Sequence, residues 1–362
     1  MPTTLAPRTV TAAPDESPGT AARVDDGRCG FGRRRAVDVA TLVALLSAVV
    51  IASLAVGAKA VPVGSVIEAF TSYDPTNTDH LIVRELRLPR TIVGLLVGAA
   101  LGVAGALMQA VTRNPLADPG ILGVNAGASF AVVVGIWAFG VGSVLGLVWF
   151  AFAGAAITSV VVYLLGSVGR GGATPVRLAL AGAALSALLF ALTRAVTLLD
   201  TSTLDQFRFW AVGSLSGRDS EIVWNLGGFI VTGLVLAVAV ARPLNVLALG
   251  EDTAAALGTK VGWTRAVSGL AIMLLCGAAV AAVGPVGFVG LVVPHAVRPR
   301  FGPDQRWLIP VCAIAGPALL LVCDTLGRVV ARPGEIQVGI MTAGIGGPAF
   351  VLLVRRMRVI RL

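Results

Sequence analysis

Stretches without Asp, Glu, Lys or Arg span residues 39–58, 91–112, 178–193, 222–241, 307–323 and 336–354. Each is close to the roughly 20 apolar residues that carry an α-helix across a bilayer. The third continues past Arg194 to Leu199. Two further runs are too long for one crossing. Residues 119–169 hold two spans with a turn near Phe139, Gly140 and Gly142, while 266–294 would extend about 43 Å as one helix at ~1.5 Å per residue. The hydrocarbon core is only about 30 Å thick. Gly284 and Pro285 therefore break that run into one full helix and a shorter returning one, since proline removes a ladder donor and clashes with the preceding turn. The pattern predicts an all-α membrane protein with ten transmembrane helices over residues 37–362.

An even number of crossings puts both termini on one side, and the basic residues decide which. With the N-terminus inside, the cytoplasm receives 19 of the 28 Lys and Arg residues, among them Arg113, Arg170, Arg177, Lys260, Arg265 and the four arginines of the C-terminus. The positive-inside rule favours this N-in, C-in arrangement. A single span over 266–294 would export "RRMRVIRL" against that rule. The polar island "LGEDTAAALGTKVGW" (249–263), unusual in a chain only 13% charged, then faces the cytoplasm.

Composition agrees with a multi-span chain: 56% hydrophobic, 44 glycines and a mean hydropathy of +0.88. The formal charge of +9 raises nucleic acid as a partner, but the basic residues are scattered between apolar runs, which excludes that class. Residues 1–36, with four prolines and mixed charge, read as a disordered cytoplasmic tail. Neither a signal peptide nor a lipidation site fits them, because no apolar segment precedes Cys29. Cys276, Cys312 and Cys323 lie in apolar runs without metal-ligand spacing and read as small buried hydrophobes.

Several chemistries are missing. His80 and His295 are the only histidines, and HExxH, GxSxG and Walker GxxxxGK[ST] patterns are absent. The chain is no enzyme by this reading: it has no catalytic residue, no metal site and no means of hydrolysing ATP alone. Ion-coupled transporters place ionisable groups near the bilayer midplane, whereas the acidic residues here lie at span ends or in loops, with Asp324 and Arg194 the nearest exceptions. A secondary transporter or channel acting without an ATPase stays as the alternative class.

Gly94, Gly98 and Gly102 recur on one face of the second span, where a neighbouring backbone can approach closely. "TRNPLADPG" (112–120) reads as proline-punctuated turn. Arg87 and Arg90 in "RLPR" suit snorkelling anchors at the membrane interface. "GEDTAAALG" predicts a short exposed helix, with acidic residues in its first turn and Gly258 where a C-terminal cap would sit; alone, this is a solvated loop helix.

Taken together, "RLPRTIVGLLVGAALGVAGALMQAVTRNPLADPGILGVNAGA" (87–128), "ALGEDTAAALG" (248–258), "GPVGFVGLVVPHAVRP" (284–299) and the spacing of Asp324, Arg328, Glu335 and Gly339 resemble the permease subunits of type II ABC importers, the FecCD-like family for iron siderophores, haem and cobalamin. The resemblance runs in order from about residue 37 to 355. It implies a bacterial inner-membrane permease that forms a homodimer, binds two copies of an ATP-binding subunit and receives substrate, a ferric siderophore by preference, from an extracytoplasmic binding protein. ATP and Mg would be held by the ATPase, with no cofactor in this chain. Helices 2–5 and 7–10 would be inverted repeats. The polar island would be the coupling element in a cleft of the ATPase, with Gly250, Glu251, Ala254 and Gly258 at the contact. Arg87, Arg90 and Arg328 would pair with carboxylates of the binding protein. Thr174, Pro175 and Val176 match the loop that narrows the inner mouth of the pathway, with proline where the family more often has a small hydroxyl residue. His295 has a structural role at a helix end.

Overall fold

The computed structural model describes residues 26–168, 174–218 and 220–359. The chain divides after Asp38 into a short N-terminal unit and a body that begins at Val39. Of the tail expected over 1–36, residues 1–25 lie outside the described residues, and the first helix already begins at Asp26.

Among the described residues every regular element is helical: α1 (Asp26–Ala55), α2 (Val63–Thr71), α3 (Thr78–Leu81), a π-helical stretch (Ile82–Arg87), α4 (Leu88–Thr112), a 3-10 turn (Pro119–Leu122), α5 (Val124–Phe139), α6 (Val144–Ser167), α7 (Pro175–Leu199), α8 (Thr201–Ala211), α9 (Ser220–Leu247), α10 (Glu251–Ala256), α11 (Val261–Val283), α12 (Val289–Phe301), α13 (Gln305–Val330) and α14 (Val338–Val359). Seven helical stretches are long and apolar enough to cross a membrane: the apolar part of α1, the continuous run from α3 through α4, and α6, α7, α9, α11 and α13. Two shorter apolar helices, α5 and the first part of α14, and the 13-residue α12 complete the ten expected from the pattern.

The predicted breaks fall where left-handed glycines stand. Gly140 ends α5 at φ +63°, and Gly284 ends α11 at φ +82°, conformations that L side chains rarely adopt. The two long core helices, α4 and α11, are each followed by a glycine- and proline-containing turn and then a short helix, α5 at about 24 Å and α12 at about 20 Å for ~1.5 Å per residue. Sequence patterning shows the second break plainly but not how short both returning helices are.

α4 is the hub, packed against α13, α11, α12 and α9. Lipid tails are as apolar as leucine, so no hydrophobic force draws helices together inside a bilayer; close van der Waals packing of small residues does. A Cβ on Gly98 would stand 2.5 Å from Pro317 Cα of α13, and one on Gly105 would overlap the carbonyl of Gly290 in α12. The glycine face read from the sequence is thus a backbone-to-backbone seam. The outer faces are the reverse, with Ile157, Val160 and Leu164 exposed along α6 and Val231, Val235 and Val238 along α9. Buried small residues and exposed branched ones are the inside-out distribution of a chain solvated by lipid. Cys276, Cys312 and Cys323 are free and buried, as expected.

Candidate functional site

Two polar constellations stand out, one at each end of the long helices. The first surrounds α10. After α9 the chain turns at Gly250, φ +111°, into the six residues of α10. The helix closes with a Schellman arrangement: the Gly258 amide donates to Ala255 O at 2.9 Å and the Thr259 amide to Ala254 O at 2.9 Å, while Gly258 takes φ +80°. No heavy atom lies within 4 Å of where a Gly258 Cβ would sit, so backbone conformation rather than crowding calls for glycine there.

Glu251 fixes this helix to two others. Its Oε1 accepts from Arg265 Nη2 on α11 at 2.6 Å and lies 3.5 Å from Arg113 Nη2, just past the end of α4. Arg113 itself takes a left-handed conformation, φ +50°. Ala254 is completely buried against the chain, whereas Leu249 and Leu257 are exposed on either side of α10. Ala254 is thereby corrected as a contact residue for a partner: it is the foot on which α10 rests. Nearby, Asp304 caps α13, accepting from the Arg306 amide at 2.9 Å and from Asn245 Nδ2 of α9 at 2.6 Å, and Asn245 Oδ1 accepts from the Gln305 amide at 2.8 Å. These bonds, the Arg306 side chain first, hold the Asp304 carboxyl down at about 2.

The second constellation gathers Arg87, Arg90 and Arg328. Arg90 reaches Asp324 through Nη2 at 2.7 Å and Nε at 3.1 Å, and Glu335 through Nη1 at 2.8 Å. Arg328 meets the same Asp324 at 3.1 Å and donates to Ser53 O at 3.0 Å and Ser53 Oγ at 2.9 Å. Arg87 donates to Leu54 O at 2.7 Å and to Lys59 O. The carbonyls of Ser53 and Leu54 belong to the last turn of α1, where a helix has no amides left to satisfy them. Two of the three arginines therefore cap α1, and the third welds α4 to α13 and to the loop before α14. All three are buried and Asp324 is wholly so. Where carboxylates of a binding protein are expected to pair with Arg87, Arg90 and Arg328, these guanidinium groups are instead committed inside the chain. Exposed cations on neighbouring segments are Lys59, paired with Asp79 at 2.6 Å, Arg332, and Arg84 on the π-helical stretch, stacked 4.5 Å over Tyr73. Sequence spacing carries no sign of these pairings, whose partners lie up to 275 positions apart.

Thr174, Pro175 and Val176 open α7. The Thr174 hydroxyl is its N-cap, 3.4 Å from the Arg177 amide, Pro175 occupies the first turn and Val176 is exposed. Residues 169–173 before them lie outside the described residues. His295 is buried on α12 with its ring 5.8 Å from that of Phe350. Among the described residues no group of His, Cys, Asp and Glu could hold a metal ion.

The profile of the FecCD transport family matches residues 45–356. The chain belongs to the FecCD transport family. Its similarity to the ferric enterobactin transport system permease protein FepD of Escherichia coli K12 is 48% identity over 322 residues, covering 89% of this chain and 96% of that one. The probable siderophore transport system permease protein YfiZ of Bacillus subtilis is 43% identical over 87% of this chain and 94% of its own length. Among solved structures, an inward-facing metal-chelate type ABC transporter superposes with a TM-score of 0.77 at 30% identity, covering 87% of this chain and 98% of that one. As a FecCD transport family member the chain is a multi-pass membrane transport protein. Its relatives are the permease components of their systems, which agrees with a non-enzymatic subunit.

Proposed function

We propose that this chain is the permease subunit of an ATP-driven importer of ferric siderophores, with the α10 end in the cytoplasm and both termini there. The near end-to-end likeness to a ferric enterobactin permease carries this reading. A hemin permease of Yersinia pestis at 40% identity keeps haem as the nearest competing substrate. The chain acts as a homodimer, with helices 2–5 and 7–10 as inverted repeats, and ATP and Mg are bound by two separate ATPase subunits.

α10 is the coupling element. Gly250, Glu251 and Gly258 shape it, Leu249 and Leu257 offer it apolar contact with the ATPase, and the Glu251 pairs transmit its displacement to the ends of α4 and α11. A contact transmits work only if its geometry differs between two states, and the solvent-accessible Arg113–Glu251 contact can be made and broken cheaply while Arg265 holds Glu251 from its buried side. The binding protein docks at the opposite end, where Arg84 supplies an exposed cation and the Arg87, Arg90 and Arg328 cluster gives a rigid base. Thr174, Pro175 and Val176, at the cytoplasmic start of α7, stand at the inner mouth of the pathway. The alternative of an ion-coupled carrier is disfavoured by Asp324, whose carboxylate already meets two arginines.

The test is co-purification and uptake. The chain expressed with its candidate ATPase should form a stable complex and, in proteoliposomes supplied with binding protein, take up ferric enterobactin only with ATP. Uptake of equal rate without the ATPase would overturn the reading.

A further inference from the structure

A partly open cavity of about 200 Å³ lies between α4, α6, α7 and α11, with Arg265, the partner of Glu251, in its wall. Its walls are almost wholly apolar, from Met108, Leu122, Leu178, Ile272 and Met273. That is more room than the ~150 Å³ apolar cavity that accepts benzene, so it takes several methylenes of a chain. Val160 and Tyr163 of α6 and Leu270 of α11, which line it, are exposed on the outer, apolar side of these helices. An occupant therefore enters from the bilayer rather than from water.

The polar groups in the walls specify that occupant's head. The Thr112 hydroxyl donates to Met108 O at 2.6 Å and the Ser159 hydroxyl to Ala155 O at 2.8 Å, so neither has a proton to offer. Arg265 differs. Its Nη2 holds Glu251, but its Nε is buried without a hydrogen-bond partner, in a side chain only 12% exposed. The Nε itself is closed off by the protein, so what an occupant meets is the charge of the guanidinium that lines the cavity, and that charge suits an anion or a strong acceptor. Basic pockets between transmembrane helices at a membrane surface receive acidic lipid headgroups.

We infer that this cavity is a binding site for an anionic phospholipid, with an acyl chain between α6 and α11 and the headgroup phosphate on Arg265. The phosphate shares the guanidinium with Glu251, so lipid occupancy sets how firmly α10 is tied to α11. This goes beyond the importer reading and stands without it, since the site lies within one chain and needs no ATPase or substrate.

The experiment is native mass spectrometry of the full chain released from detergent micelles after titration with phosphatidylglycerol or phosphatidylethanolamine. The wild type should retain one phosphatidylglycerol at activation that strips the other lipid. Arg265→Gln should lower that preference about tenfold, the loss of one charge-assisted contact. Gly269→Leu should fill the cavity and reduce retention several-fold while keeping Arg265; a Cβ there meets nothing within 4 Å, so the helix accepts it. Val160→Trp, at the lipid-facing mouth, should act likewise. Equal retention of the two lipids by the wild type, or retention unchanged in both cavity variants, overturns the site. Neither result decides the importer reading, which ATP-driven uptake by the wild type tests in a separate assay.

Discussion

Asp324 and Arg90 illustrate how a single buried charge constrains the rest. Removing one partner from a buried pair leaves the other uncompensated, at a cost of roughly 3–5 kcal/mol. Arg90→Ala and Asp324→Asn should both lower thermal stability in detergent sharply, whereas Arg84→Glu, at an exposed position, should leave it within about 0.5 kcal/mol. Arg84→Glu should instead weaken binding-protein association and flatten its salt dependence, because exposed charges mainly govern encounter. Light-scattering melts and association at two ionic strengths measure the pair of effects. A destabilised Arg84→Glu with unaltered association would reverse the assignment. At this scale the sequence marks Arg87, Arg90 and Arg328 by type and spacing but carries no sign of their buried surroundings. Their partners, Ser53, Leu54, Asp324 and Glu335, come from distant segments that only the packed bundle brings together. Gly258 was different: helix length and an acidic first turn located its cap, and the left-handed φ of +80° follows from that local logic alone. Gly258→Val forces a β-branched residue into that conformation, a strain of about 1–3 kcal/mol, and should abolish uptake while the chain still inserts.

The helices themselves were the most legible part, since apolar length and proline or glycine punctuation are local properties. The short outer helices α2, α3 and α8 and the π-helical turn at Ile82–Arg87 have no such signature. Nor did the sequence disclose that α9 helps to cap α13 through Asn245 and Asp304. Asp304 has a folded pKa of about 2 against an ordinary 3.8. Its depressed pKa contributes stability that is complete above the ordinary value and is lost as the pH falls through about 2. Asn is nearly as good a cap as Asp, so Asp304→Asn isolates the charge. The gap in melting temperature between wild type and Asp304→Asn should be constant from pH 7 to about 5 and close progressively below about pH 4. Asp304→Ala, which also loses the cap, should cost about 0.5–2 kcal/mol at neutral pH. A gap that widens on acidification would remove Asp304 from this role.

For the whole molecule, orientation and coupling are the claims with most at stake. In a Cys29→Ser background, Gly217→Cys should react with an impermeant thiol reagent from outside intact cells, and Lys260→Cys should not. Both positions are exposed, and the described native cysteines are buried. Labelling of Lys260→Cys from outside would invert the topology and detach α10 from any cytoplasmic partner. The most direct test of the account joins that topology to function: radiolabelled ferric enterobactin uptake and ATP hydrolysis measured together in proteoliposomes carrying the permease, its ATPase and its binding protein, for wild type and Glu251→Arg. The wild type should accumulate the chelate only with ATP. Glu251→Arg, which sets a third cation against Arg265 and Arg113, should lose uptake at least tenfold, by either failing to retain the ATPase or hydrolysing without transport. Undiminished ATP-driven uptake by Glu251→Arg would contradict the account.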